Sequence, residues 1–372
     1  MEKSFASIFE KHKWESIKEY IYNITEQQVK SVLQKPELTI WDFAALISPA
    51  AQNYLPQMIE KSKQLTQQRF GKTIMLYAPM YLSNECKNIC TYCGFSFDNK
   101  IKRKTLTDDE LLKEAEYLKN KGIQHILLVT GEDNHHVNAN YIAHAVELLT
   151  PIFSNISIEV QPLETEEYLL MKEKNVYAVL VYQETYCAEK YKVYHPKGRK
   201  SNFYYRLETP DRIGKAGLHK IGLGVLLGLE DWRTDSFFCA LHLDYLEKKY
   251  WKSKYSVSFP RIRPAIGAIQ ENIHLNDNEF KQLVCAYRLF KPDVELSLST
   301  RESPALRDEL VEIGFTTMSA ESKTNPGGYV VEPEALEQFE IDDTRSIEEI
   351  KQMLLKKGYE PMMKDWEMLL NE

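Results

Sequence analysis

From Lys72 to about residue 323 the chain repeats one unit, and that repeat constrains the fold more than anything else in it. Short runs rich in β-branched and apolar residues predict strands at 73–81, 125–130, 156–161, 176–183, 220–227, 255–262, 294–299 and 315–319. Amphipathic stretches near 107–121, 139–150, 164–173, 201–217, 234–250, 277–290 and 303–313 predict helices between them. A strand at every ~20–40 residues suits parallel βα units, because each crossover must carry the chain back to the start of the next strand. Eight units predict an α/β fold, a (β/α)8 TIM-type barrel, with a doubly wound open sheet as the alternative.

Alternation along the strands says what such a barrel encloses. In 294–301 one face is Val294, Leu296 and Leu298, and the other is Glu295, Ser297, Ser299 and Arg301. Ile156, Ile158 and Val160 likewise oppose Ser157, Glu159 and Gln161. Side chains alternate with period two, so the apolar face meets the helices and the polar face points inward. This predicts a chamber for a polar ligand, open at the C-terminal strand ends where such barrels carry their chemistry.

Residues 1–71 read as a helical N-terminal extension, a collar on the barrel. Trp14, Ile17, Tyr20 and Ile21 share a face, Thr39 is placed to cap a helix, and Leu55, Met58, Ile59 and Leu65 recur at helical spacing. The barrel is expected over 72–323. A tail over 324–372 contains Pro326-Gly327-Gly328-Tyr329 and Lys364-Asp365-Trp366. It is expected to pack on the barrel as a surface helix, with closure of the mouth as the alternative.

A net charge of −7 offers no footprint for nucleic acid, and the basic run Lys100 to Lys104 reads as a solvated turn. The N-terminus lacks an apolar secretory core and no run is long enough to span a bilayer, so a cytoplasmic protein is expected. Its thiols are then free to bind metal. Cys187, Cys239 and Cys285 are scattered and read as small buried apolar residues.

The other three cysteines are clustered. Cys86, Cys90 and Cys93 follow the first predicted strand, at the barrel's catalytic end. A structural zinc site is one reading, but zinc usually takes four protein ligands and no fourth Cys or His lies close by. His135 and His136 stand in a polar stretch that reads as surface loop. The favoured reading is an iron–sulfur cluster held by three thiolates, with one iron open to an exogenous molecule.

At this point the sequence resembles a family. Cys-x3-Cys-x2-Cys with Tyr92 before the last cysteine resembles the radical S-adenosylmethionine (SAM) superfamily. The likeness to its aromatic amino acid lyases extends over nearly the whole chain. It runs through Leu127-Leu128-Val129-Thr130-Gly131-Glu132, Glu159-Val160-Gln161-Pro162-Leu163 and Val181-Tyr182-Gln183-Glu184-Thr185-Tyr186. It continues in Arg206-Leu207-Glu208-Thr209-Pro210, Ser256-Val257-Ser258-Phe259-Pro260-Arg261 and Leu296-Ser297-Leu298-Ser299-Thr300-Arg301-Glu302. Within that family the chain is most similar to the tyrosine lyases of thiamine biosynthesis.

The resemblance implies one [4Fe-4S] cluster on Cys86, Cys90 and Cys93, with SAM on the open iron. It implies SAM contacts at Tyr92, Gly131, Glu132, Glu159, Glu184, Arg206 and Gly224. Thr130 stands where the family has glycine. Arg301, Arg263 and Ser299 are candidates for positioning the substrate carboxylate, since a planar guanidinium suits a carboxylate. Arg261, at the same strand end as Arg263, is a further candidate. The implied reaction cleaves the Cα–Cβ bond of L-tyrosine to 2-iminoacetate and p-cresol, with 5′-deoxyadenosine and methionine, for thiazole formation. Implied partners are a flavodoxin or ferredoxin as electron donor and a thiazole synthase subunit. The alternatives are a two-cluster tyrosine lyase of hydrogenase maturation, a tryptophan lyase, and a non-enzymatic iron–sulfur sensor or scaffold. No cysteine follows Cys285, which argues against a second C-terminal cluster.

Overall fold

The computed structural model describes residues 4–269 and 271–365, so Trp366 of the predicted tail lies outside the described residues. All eight predicted strands form: β1 (Thr73–Ser83), β2 (His125–Thr130), β3 (Asn155–Glu159), β4 (Ala178–Leu180), β5 (Lys220–Gly224), β6 (Lys254–Ser258), β7 (Glu295–Leu298) and β8 (Thr317–Ser319). Each pairs in parallel with the next, and β1 also pairs with β8, with Leu76 opposite Met318 and Ala78 opposite Ile126. The sheet therefore closes into a barrel, and the open-sheet alternative falls. Several strands end earlier than predicted because the chain leaves the ladder at the chamber. Beyond it only single bridges persist, Glu184 to Val225 and Leu227 to Arg261.

Alternation sorts β1 cleanly. Ile74, Leu76, Ala78, Met80 and Leu82 join the core beneath the helices, while Tyr77, Pro79 and Tyr81 line the interior. The pairing slips between Tyr81 and Ser83, a bulge that bends the strand just before the cysteines. The expected polar inner face holds at Glu159 and Ser258. It fails on β2, where Leu127 and Val129 face inward and join Tyr81 and Phe95 in an apolar wall.

Beneath the chamber the barrel is filled by polar pairs. Lys220 Nζ lies 2.7 Å from Glu295 and donates to Tyr177 at 2.6 Å, and His125 Nε2 meets Ser157 Oγ at 2.8 Å. A ninth strand from the tail, β9 (Glu360–Met362), pairs with the start of β1. Asp365 then bonds through its backbone N–H to Asn155 Oδ1 and through its carboxylate to Tyr177, capping this end.

The N-terminal helices are Phe5–Phe9, Trp14–Tyr22, Glu26–Val32, Ile40–Leu46 and Leu55–Phe70. Thr39 caps as expected: its hydroxyl accepts from Asp42 N–H while the Asp42 carboxylate accepts from Thr39 N–H. Helix Leu55–Phe70 buries Leu55, Met58, Ser62 and Thr66, leaving Ile59 and Leu65 half-buried at its flanks. Ser62 and Thr66 can be buried because each hydroxyl donates to a carbonyl, at 2.7 Å and 2.8 Å. The helices gather on one flank of the barrel, against Trp232–Lys249 and Asp277–Phe290, with the Phe5 ring stacked on His242 at 3.7 Å.

The predicted helix 201–217 divides into Phe203–Leu207 and Thr209–Ala216, since Pro210 lacks an N–H and suits only a first turn. Helix Ala188–Tyr194 had no clear periodic signal. Cys187, Cys239 and Cys285 are buried, as expected. Among the described residues no helix is long and apolar enough to cross a membrane.

Candidate active site

Cys86, Cys90 and Cys93 all line one chamber at the C-terminal strand ends, which encloses about 1400 Å³ counted with its open mouth. Their loop is clamped by Arg103, whose guanidinium donates to the carbonyls of Asn84 (2.7 Å), Phe95 (2.9 Å) and Ser96 (2.8 Å). Lys104 pairs with Glu110 at 2.6 Å and Glu332 at 3.3 Å. The solvated-turn reading of this basic run is thus corrected for Arg103 and Lys104. One long cation satisfies three loop carbonyls that have no ladder to join.

Asn88, between the first two cysteines, is buried and joins three elements. Its Nδ2 donates to Glu132 Oε2 at 2.7 Å and its Oδ1 accepts from the Lys200 backbone at 3.0 Å. Gly198 makes this possible: at φ +94°, a Cβ there would fall 2.1 Å from Asn88 Oδ1.

Glu132, Glu184 and Arg206 come together as the resemblance implied. Arg206 Nη1 bonds Glu132 Oε1 at 2.7 Å, and its Nε donates to the Tyr182 carbonyl at 2.6 Å. Burial opposes ionisation of Glu132, but Arg206 and Lys200 outweigh it and hold the carboxyl below its usual range. Glu184 adopts φ +70°, a left-handed conformation costly for a residue with a side chain, and lines the chamber. Lys200 Nζ meets it at 2.7 Å and lies 5.6 Å from the centre of the Tyr92 ring. Lys200 was missed because it sits on a one-turn helix, Arg199–Ser201, with no periodic signal. Tyr92 is fixed by its hydroxyl, 2.7 Å from His195 Nε2.

Gly131 packs against the cysteine loop so closely that a Cβ would lie 2.2 Å from the Glu85 carbonyl oxygen. Thr130 needs no such allowance, being in the β2 ladder opposite Ser83. Its Oγ1 lines the chamber and has no hydrogen-bond partner among the described residues. Gly224 stands outside the lining. A Cβ there would come 2.6 Å from the Ser258 carbonyl oxygen and 2.7 Å from the Tyr182 ring, so this glycine makes room for a lining residue.

Arg301, Arg263 and Ser299, after β7 and β6, also line the chamber, as does Glu159 at the end of β3. The Arg301 guanidinium stacks 3.4 Å from the Phe339 ring centre, and its Nη1 donates to the Arg261 carbonyl at 3.2 Å. Among the described residues no carboxylate pairs with it within 4 Å. Ser299 Oγ accepts from the Arg301 backbone at 3.2 Å. Arg263 lies 3.7 Å from Asp342. Arg261 instead pairs with Glu302 and Asp277, outside the lining, which explains why its place at a strand end misleads.

The tail forms part of the chamber wall, correcting the expectation of surface packing alone. Thr324, Gln338 and Phe339 line the chamber, and only Ile347–Lys356 forms the surface helix. The segment is tied down at Glu114, whose carboxylate accepts from the backbone of Tyr329, Val330 and Val331 at 2.9, 2.7 and 2.9 Å.

These residues fit the implied cofactors. Among the described residues the three ligand atoms that all lie within 4.8 Å of one another belong to Glu85, Asp133 and His136, not to the cysteines. A single ion needs that convergence, whereas the separate irons of a cluster do not. Burial pushes the Cys86 thiol up to about 11 and Cys90 well above its ordinary value, a setting in which a coordinated cation is what makes thiolates. The unpartnered Thr130 hydroxyl and the charged shelf of Glu132, Arg206, Glu184 and Lys200 suit a polar, zwitterionic ligand beside the cluster.

A closed βα barrel with three cysteines after its first strand and this shelf beside them defines a radical SAM enzyme. Residues 80–238 match the radical SAM superfamily, and residues 258–360 match the biotin and thiamin synthesis associated domain. The chain is 45% identical over 369 residues to 2-iminoacetate synthase of Escherichia coli (strain K12), covering 99% of this chain and 98% of that protein. Against 2-iminoacetate synthase of Salmonella typhimurium it is 44% identical, covering 98% and 97%. This chain belongs to the 2-iminoacetate synthase family. Among solved structures it resembles HydG, a maturase of the [FeFe]-hydrogenase, with a TM-score of 0.89 and 30% identity over 94% of this chain and 80% of that one. Methylornithine synthase shares the fold, with a TM-score of 0.71 at 20% identity.

Proposed function

We propose that this enzyme cleaves the Cα–Cβ bond of L-tyrosine, yielding 2-iminoacetate and p-cresol, with Arg301 as the substrate's carboxylate anchor. The observation that carries the assignment of Arg301 is its isolation: a guanidinium in the chamber, stacked on Phe339, with no carboxylate partner among the described residues. Burying a cation without a counter-ion is costly, and a ligand carboxylate removes that cost. Cys86, Cys90 and Cys93 would hold the [4Fe-4S] cluster. Glu132, Arg206, Glu184, Lys200 and Tyr92 would hold SAM. The bound pair would supply one-electron cleavage of SAM to methionine and a 5′-deoxyadenosyl radical able to take a hydrogen atom from tyrosine.

The protein's part is to place the substrate and keep everything else away. Ser299 supports the Arg301 loop, and Arg263 stands beside it. Leu127, Val129, Leu180 and Tyr182 offer the aromatic ring an apolar bed. Gln338 and Phe339 close the wall over the cysteines, excluding water and side chains that a primary carbon radical would attack.

The reading extends to partners: a reduced flavodoxin or ferredoxin as electron donor, a thiazole synthase subunit that consumes 2-iminoacetate, and a cytoplasmic setting. The hydrogenase-maturase reading is the weaker second. That relative is 30% identical over 80% of its length, against 45% over 98% for 2-iminoacetate synthase. The test is anaerobic reconstitution with iron and sulfide, then incubation with SAM, tyrosine and reductant. p-Cresol and 5′-deoxyadenosine in equal amounts are expected; an intact cluster that yields neither overturns the reading.

A further inference from the structure

Among the described residues Glu159 is the one carboxylate lining the chamber whose side chain has no partner. It ends β3 and faces the cavity, yet among the described residues it makes no hydrogen bond and no ion pair within 4 Å. The other chamber charges are matched: Glu132 with Arg206, Glu184 with Lys200, Arg263 with Asp342. Two groups remain, the Glu159 carboxylate and the Arg301 guanidinium. Both line the same chamber, and each bears on the other's ionisation, as Glu184 does on both. Tyr77, Tyr81 and Tyr182 line the same chamber, and among the described residues no cation lies within 4 Å of the Glu159 carboxylate.

An unmatched anion and an unmatched cation lining one chamber describe the negative image of a zwitterion. An amino acid presents its ammonium and carboxylate on one carbon, so only a short gap between the two receptors serves both. We propose that Glu159 receives the α-ammonium group of tyrosine, while Arg301 receives its carboxylate, so that the pair together selects an α-amino acid. The resemblance places Glu159 with the SAM contacts, and Glu184, Lys200 and Arg206 of that shelf act on it; its lack of a partner, with Arg301 in the same chamber, assigns it instead to the substrate.

The consequences are chemical. A ligand without the amine shuts half-buried Glu159 away from water without a partner, and a site built to pair a group rejects the analogue that lacks it. The carboxylate also takes one proton from the ammonium: the N–H bond breaks, its electron pair stays on nitrogen, and the proton moves to a Glu159 oxygen. The amine that results is the group from which the hydrogen atom is taken. Burial and the neighbouring Glu184 raise the Glu159 carboxyl to about 7, which lessens the cost of that transfer relative to an ordinary carboxylate.

This inference rests on tyrosine being the substrate, and the test separates the two. Anaerobic, unreduced holoenzyme with SAM is titrated by calorimetry with L-tyrosine, with 3-(4-hydroxyphenyl)propanoate, which lacks the amine, and with L-phenylalanine, which lacks the phenol. The wild type is expected to lose on the order of tenfold to a hundredfold in affinity when the amine is removed. Glu159→Gln is expected to bind tyrosine weakly and the desamino acid almost as the wild type does, with SAM affinity unchanged. If Glu159→Gln fails to take up its cluster, Glu159→Asp carries the comparison, and must still prefer tyrosine to the desamino acid. Equal weakening toward both ligands means a structural role and overturns the proposal. So does lost discrimination against phenylalanine alone, which assigns Glu159 to the phenol, and so does weakened SAM binding with tyrosine binding intact. Wild-type enzyme that ignores tyrosine altogether would instead fault the substrate.

Discussion

The Gln338 side-chain amide lies 3.4 Å from the Sγ of Cys93, a contact across 245 residues that joins the tail to the cysteine triplet. The same side chain accepts from the Tyr81 hydroxyl at 2.8 Å, and its backbone carbonyl accepts from Gly94 N–H at 3.0 Å. A hydrogen bond to a ligating sulfur stabilises the more negative, reduced form of a cluster and so raises its potential. Gln338→Leu is therefore expected to lower the cluster's reduction potential and speed its loss in air. A spectroscopically followed redox titration measures the first; an unchanged potential would mean the contact does not touch the cluster.

Cys90 is the most enclosed of the three thiols. Cys90→Ala is expected to bind little iron and to release no 5′-deoxyadenosine. Product analysis by chromatography decides it, since continued 5′-deoxyadenosine release would remove Cys90 from the ligand set.

Arg206 neutralises Glu132 inside the protein, and removing one member of such a pair strands the other. Arg206→Leu is expected to cost about 3–5 kcal/mol of stability, read from denaturant unfolding, and to abolish SAM binding. Arg206→Lys keeps the charge but loses the second donor that reaches the Tyr182 carbonyl. It is expected to fold and to bind SAM weakly.

Arg301→Lys tests the carboxylate anchor. A point charge cannot reproduce the planar fork or its stacking on Phe339. KM for tyrosine is expected to rise about tenfold to a hundredfold, as loss of a charge-assisted bond predicts. Reductive cleavage of SAM should continue, so that 5′-deoxyadenosine exceeds p-cresol. A fall in SAM cleavage equal to that in p-cresol would place Arg301 on the cofactor instead.

Tyrosine affinity is expected to depend on pH through Glu159, raised to about 7 by burial and Glu184 against the lowering effects of Arg301, Lys200 and Arg206. The ammonium needs the carboxylate form, which is lost as pH falls through that value. Affinity should thus weaken below neutrality, by up to about tenfold per pH unit. In Glu159→Gln the profile over the same range should be flat.

The eight strands were legible because each alternates apolar and polar residues over several positions, and the cysteines because their spacing is local. The expectation for Arg261 went astray because a strand-end position does not say whether a carboxylate such as Glu302 waits beside it. Gln338, Phe339, Lys200 and Asn88 carried no pattern. Each acts through partners distant in sequence, as Gln338 does on Cys93.

From the chain alone follow the barrel, the cysteine loop at its catalytic end and the family, since period-two alternation and short-range spacing are written in consecutive residues. Which charges face one another across the chamber was settled only by tertiary structure. Pairing depends on side chains from β2, β3, β7 and the tail meeting in one enclosed space, where burial makes every match or mismatch count. Glu159 shows the difference: a polar residue on an alternating strand in the sequence, a carboxylate without a partner among the described residues and in one chamber with Arg301 in the fold.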